Sequence, residues 1–150
     1  MSQSLASIQV HIVFSTKQRQ SLLGDETRNE LHAYIGGIVA RLQGTLLRAG
    51  SVEDHIHLLI AHPRTSSPAD LMQEIKAGSS KWLKTKNPSF ANFHWQSGYG
   101  MFSISPSHRA AVEAYIDNQK EHHRKVTFQE EYRRLLRKYD IAFDEKYVWD

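Results

Sequence analysis

Glu53-Asp54-His55-Ile56-His57-Leu58-Leu59-Ile60-Ala61 is the stretch on which the fold turns. Side chains of an extended chain alternate between two sides. Ile56, Leu58 and Ile60 therefore share one side, and His55, His57 and Leu59 the other. The aliphatic side claims a core, so the histidines lie on the opposite face of a sheet. Another element must cover that face or use it, and two imidazoles stand on it together.

The neighbouring segments build a sheet around this strand. Residues 45 to 50 read as its partner, joined through a turn region at Gly50-Ser51. Ile8, Val10, Ile12 and Phe14 alternate with Gln9, His11 and Ser15, so residues 7 to 15 read as a further strand. Between them, Asp25 caps a helix with the stripe Leu31, Ile35, Ile38 and Leu42, and Gly44 suits its stop. Gly36 and Gly37 sit inside that helix, where they weaken or bend it. Ser67 with Asp70 forms a loose capping box, and Pro68 suits the first helical position. That helix runs to about Lys84, with Leu71, Ile75, Ser79 and Trp82 inward and Asn87-Pro88 ending it. Phe93 to Gln96 and Tyr99 to Ile104 read as a hairpin around Ser97-Gly98. Ser105-Pro106-Ser107 opens a helix from 107 to about 124. Thr127 with Glu130 caps a last helix to about Tyr139. The mixed order of strands and helices predicts an α+β fold with a largely antiparallel sheet.

The 150 residues suit one domain, 1–150, and 40% hydrophobic content suffices for one core. A net charge of +3 and a pI near 9.2 fit a polyanionic partner without requiring one. No cysteine is present, which excludes disulfides, thiolate nucleophiles and cysteine zinc sites. No run approaches membrane-spanning length, and no basic residue precedes Lys17, so neither a membrane anchor nor a signal peptide is expected. The cytoplasm is the expected location.

The chemistry gathers at a few positions. Two strand imidazoles, His55 and His57, can hold a divalent ion in their neutral form, and the same pair can equally be two polar residues on a strand face. Tyr115 and Gln119 are four apart on a helix and so share a face. Tyr115 alone reads as a packed aromatic and Gln119 as a solvated amide. Beside the histidines they suggest more: a phenol with its pKa near 10 needs a neutralised, fixed phosphate before it can attack. His123 reads as a polar helix end, and His122 as either that or a phosphate contact. Lys17, Arg19, Arg64, Lys76, Lys81 and Lys84 can track a phosphate backbone. Trp95 and Tyr99 read as core aromatics before base-stacking ones. Arg133, Arg134, Arg137 and Lys138 read as a solvated face balanced by Glu130 and Glu131.

Five stretches carry a family resemblance: His11-Ile12-Val13-Phe14-Ser15-Thr16-Lys17, Glu53 to Leu59, Ser79-Ser80-Lys81-Trp82-Leu83, Trp95-Gln96-Ser97-Gly98-Tyr99-Gly100, and Tyr115-Ile116-Asp117-Asn118-Gln119 with His122-His123. In that order they resemble the HUH single-tyrosine transposases of the insertion-sequence-200-like type, including REP-associated tyrosine transposases. The resemblance implies a ferredoxin-like antiparallel sheet. It implies metal ligands at His55, His57 and Gln119, with Mg2+ or Mn2+ bound, and a nucleophile at Tyr115. The DNA contacts expected beside it are Lys17, Arg19, Lys76, Lys81, Lys84 and His122. The implied activity is cleavage and rejoining of single-stranded DNA at hairpins, through a 5′-phosphotyrosine and a free 3′-hydroxyl, in a homodimer. Ligand chemistry favours manganese, since magnesium prefers oxygen. Two other readings stand beside it. One is a domesticated protein that binds DNA hairpins without cutting, the other a metal hydrolase that uses His55, His57 and a water.

Overall fold

The computed structural model describes residues 2–150. Four strands form one antiparallel sheet: β1 (Gln9–Ser15), β2 (Thr45–Ser51), β3 (His55–Ala61) and β4 (Gly100–Ile104), in the order β2-β3-β1-β4. Helix α1 (Asp25–Arg41) links β1 to β2, and α2 (Pro68–Lys86) links β3 to β4. This βαββαβ order on an antiparallel sheet is the ferredoxin-like arrangement. After β4 come α3 (Arg109–Asp117), the single turn α4 (Gln119–His122) and α5 (Phe128–Lys138). Among the described residues, no helix is long and apolar enough to cross a membrane.

Alternation along β1 and β3 assigns the two faces. Ile12, Phe14, Ile56, Leu58 and Ile60 pack against Leu31, Ile35 and Ile38 of α1 and Leu71 and Ile75 of α2. The other face carries Val13 and Phe102 under Phe128, Tyr132 and Leu136 of α5. It also carries Leu59 and Ile104 under Ile116 of α3. The histidine face is thus covered by the helices that follow the sheet in the chain. This is the second layer that the sequence demanded without naming.

Local signals behave as propensity requires, with three differences. Ser67 Oγ accepts from Asp70 N, and Thr127 Oγ1 from Glu130 N, so both predicted caps form. Helix α1 instead takes Gly24 as its cap, and Asp25 enters the first turn to pair with Arg28. The left-handed residue after α1 is Gln43, φ 71°, rather than Gly44. The expected hairpin over residues 93–104 does not form. Only Gly100–Ile104 is a strand, and it pairs with β1, while Trp95 makes a single bridge to Thr16. Lys76 explains the open loop: its Nζ donates to the carbonyls of Gln96, Ser97 and Gly98 at 2.8, 3.1 and 2.6 Å, taking acceptors a hairpin would use.

Gly50 on β2 sets the approach of α3. A Cβ there would lie 2.4 Å from the Ile116 carbonyl oxygen and 2.8 Å from Ile116 Cγ2. Gly50→Ala must therefore lift the tyrosine-bearing helix off the sheet edge. The expected cost is about 1–3 kcal/mol in urea denaturation, typical of overpacking.

Candidate metal and tyrosine centre

Strand β3 presents His55 and His57 side by side, with ring centroids 5.3 Å apart, and both are buried. Helix α5 lowers Glu131 onto them. Glu131 Oε1 lies 2.9 Å from His57 Nε2 and 3.4 Å from His55 Nε2. His123, just beyond α4, brings its Nε2 within 3.0 Å of the same oxygen. One ligand atom from each of His55, His57, His123 and Glu131 falls within 4.8 Å of all the others. Three imidazole nitrogens and one carboxylate oxygen are a donor set that takes a divalent transition ion.

Each strand histidine is held from behind. His55 Nδ1 bonds Asp54 Oδ1 at 2.7 Å. His57 Nδ1 shares a hydrogen bond of 2.8 Å with His11 Nε2 from β1, which leaves Nε2 of both rings pointing into the cluster. Such outer partners fix the tautomer and ring orientation of metal-ligating histidines. His11 reaches this place because β1 pairs with β3 so that His11 sits diagonally from His57 on the same face.

Tyr115 of α3 completes the cluster from within the same chain. Its hydroxyl donates to Glu131 Oε2, and its ring meets His57 edge-on with centroids 5.7 Å apart. Burial pushes the phenol pKa up, and the Glu131 charge pushes it further, so the proton is held tightly on Oη. Burial alone would also raise the Glu131 carboxyl. The His57 charge, with bonds from His123, His55 and His57, overrides it and holds the group far below the ordinary carboxylate range. Burial pushes His57 down from 6.5. Burial also opposes the charged form of His55, yet bonds to Asp54 and Glu131 lift it above 6.5.

Gln119 lies beside Tyr115, but not on one continuous helix face with it. Helix α3 ends at Asp117, Asn118 interrupts the helix, and Gln119 begins α4. Gln119 Nε2 donates to the Tyr115 carbonyl at 3.3 Å, while its buried Oε1 has no partner. His122 Nε2 is 3.2 Å from Glu131 Oε2, without the angles of a hydrogen bond. The predicted basic contacts scatter. Lys17 and Arg19 lie by the C-terminal tail, with the Arg19 guanidinium 5.9 Å from the Trp149 ring centre. Lys81 and Lys84 are exposed on α2, across the sheet from Tyr115. Lys76 spends its ammonium on three loop carbonyls and is pushed down to about 8 by burial, so it has no donor left for a phosphate. Trp95 is buried and donates to Ser79 Oγ, in keeping with its reading as a core aromatic.

Glu131, His123, His11 and Asp54 were not picked out as centre residues by motif. A signal existed for two of them. His11 is the one imidazole on the polar side of β1, and Glu131 borders the apolar stripe Phe128, Tyr132 and Leu136.

Fold and centre together define a class: an α+β domain with a paired-histidine cluster on a ferredoxin-like sheet. The family model described as "Transposase IS200 like" matches residues 4–119. The ISDra2 transposase TnpA of Deinococcus radiodurans is 21% identical over 117 residues, covering 75% of this chain and 84% of that protein. A crystal structure of a Deinococcus radiodurans transposase superposes with TM-score 0.61 at 23% identity, over 79% of this chain and 98% of the other. The structure of a REP-associated tyrosine transposase bound to a REP hairpin gives TM-score 0.61 at 18% identity, over 96% and 93%. The chain belongs to the IS200-like transposase family. The family match ends at Gln119, so Glu131 and α5 lie beyond it.

Buried neutral histidines make stability depend on pH. His11 is pushed down to about 3 by burial and the His57 charge, and His32, bonded to Ser51 Oγ, to about 4 by burial and the Arg28 charge. Both titrate near 6.5 when unfolded. Between those values the unfolded chain binds more protons than the folded one, so stability rises with pH. Thermal midpoints should therefore fall as pH drops from about 7 to about 4. His32→Gln should make that slope shallower.

Proposed function

We propose that this transposase cleaves and rejoins single-stranded DNA at hairpins, through a covalent bond between Tyr115 and a 5′-phosphate and with a divalent cation bound. The single observation that carries the reading is the meeting of Tyr115 Oη with the His55, His57, His123 and Glu131 cluster inside one chain. The hairpin part rests on the likeness to a tyrosine transposase described as bound to a REP hairpin.

His55, His57, His123 and Glu131 would hold the ion, and Gln119 Oε1, buried and unpartnered, is an additional oxygen of the kind a cation takes. The nitrogen-rich set suits Mn2+ better than Mg2+. When bound, the ion neutralises charge on a nonbridging phosphate oxygen. The chain's own groups do the rest. Asp54 and His11 keep the two imidazoles aimed. Tyr115 Oη attacks phosphorus, its O–P bond forms, and the bond from phosphorus to the 3′-oxygen breaks. The phenolic proton passes to Glu131 Oε2, already in contact with Oη. The departing 3′-oxygen takes a proton from solvent. Reversal of these steps onto another 3′-hydroxyl rejoins strands without an external energy source.

Lys17, Arg19, Lys81, Lys84 and His122 are kept as proposed DNA contacts, with His122 nearest the chemistry. The proposed assembly is a homodimer. The chemistry does not wait on it, since Tyr115 meets the histidines of its own chain.

Incubation with labelled hairpin DNA and manganese should give a covalent adduct that Tyr115→Phe does not form. An unchanged adduct in that variant ends the nucleophile assignment. Tight hairpin binding with no adduct at any metal concentration favours the domesticated binding protein instead. For the ligands, Glu131→Gln should weaken Mn2+ binding by about tenfold or more in calorimetry, and Gln119→Ala by less. The reverse order would make Gln119 the principal oxygen ligand.

A further inference from the structure

Beside the metal cluster lies a cavity of about 370 Å3 into which Tyr115 opens. Its charged wall comes from one face of α5. Glu131, Arg134, Leu135, Lys138 and Tyr139 follow at helical spacing and all line it. Arg134 and Lys138 belong to a run that reads from sequence as a solvated face, yet they differ from their neighbour Arg133. Arg133 turns away, forms a bidentate pair with Glu145, and stacks over Trp149 at 4.9 Å. Neither Arg134 nor Lys138 forms an ion pair among the described residues, and the Lys138 ammonium lies 5.7 Å from the ring centre of Tyr139, itself on the cavity wall.

The rest of the lining points the same way. Glu131 is its one carboxylate, and that group is already engaged by His57, His123 and Tyr115. His11, His108 and His122 line it as well, and Ala111, Val112 and Leu135 give it an apolar floor. A cavity with two unpaired permanent cations, a nucleophile at its edge and an apolar floor suits one phosphodiester with its sugar. A phosphate is the anion whose geometry a planar guanidinium matches with two parallel donors.

We propose that Arg134 grips the nonbridging oxygens of the phosphate that Tyr115 attacks, and that Lys138 holds the next phosphate along the strand. This rests on the strand-cleavage reading above and assigns it two residues outside the family match. Arg134 then does two things at once. It places phosphorus opposite Oη, and it balances the negative charge of the phosphate under attack. Both residues are exposed, so their removal spares the core.

The test uses Arg134→Ala, Arg134→Lys and Lys138→Ala, with Arg137→Ala as a control that lies on α5 outside the cavity. Two readouts are needed: the rate of covalent adduct formation with hairpin DNA and manganese, and the salt dependence of binding a short single-stranded oligonucleotide in a Tyr115→Phe background. Arg134→Ala should slow the adduct by about tenfold or more, with part regained in Arg134→Lys, and Lys138→Ala should slow it less. Each alanine should also flatten the salt slope by about 0.7, the share of one single-strand phosphate contact. Arg137→Ala should match the parent in both. Where the unaltered chain forms the adduct, the grip is overturned if Arg134→Ala behaves like Arg137→Ala in either readout. If the unaltered chain forms no adduct with any metal while the slope still flattens, the cleavage reading fails and the phosphate site stands.

Discussion

A carboxylate sealed inside a protein needs positive charge around it, and Glu131 is such a group, only 1% exposed. The centre is organised by that need. Three imidazoles and a phenol turn toward its two oxygens, drawn from β3, from the segment after α4, and from α3. Because Glu131 is on α5, the electrostatic demand ties the last helix to the sheet as firmly as Phe128, Tyr132 and Leu136 do by packing. The apolar contacts set where α5 lies. The buried charge sets its rotation.

The same demand explains why one imidazole resists burial. His57 is driven toward its neutral form, while His55, between Asp54 and Glu131, is lifted toward its charged form. Without a cation, an imidazolium at His55 is the compensation available to Glu131. A divalent ion would take over that role and displace the proton, so ion binding and proton release are coupled here. The backing of His57 by the neutral His11 fits both states. An imidazole can donate or accept at Nε2 by exchanging tautomers, so the His11–His57 bond survives when His57 Nε2 turns from a donor into a ligand.

How much of this was legible in the chain depends on the range of the signal. Strand alternation at 55–61 gave the sheet, its core face and the histidine face, because a period of two is local and strongly constrained by burial. Capping at Ser67 and Thr127 was equally local, and both caps form. The hairpin over 93–104 was misread because a distant residue, Lys76, takes the loop carbonyls. The continuous helix over 107–124 was misread at Asn118, where an intact apolar stripe hides a break. Glu131 was read as a surface counter-charge because, with Glu130, it is one of two acids in an Arg-rich helix, which have that meaning in most contexts. Only the packing of α5 across the sheet reveals it facing inward.

Tyr115 is the point at which these constraints meet function. A hydrogen bond to a buried, strongly acidic carboxylate stabilises the protonated phenol, and burial opposes its ionisation further. On the proposed reading Tyr115 is, within the cluster alone, a restrained nucleophile. Positive charge arriving on either side changes that balance. A cation held by the histidines would draw charge from Glu131, and a phosphate held by the proposed Arg134 grip would bring its electrophile together with a counter-ion. Restraint until both are present would suit the proposed strand cleavage, since a phenol that ionised unprompted would react wherever DNA drifted past. Such a gate would be electrostatic and would require no moving lid, because the phenol, the carboxylate and the imidazoles already touch.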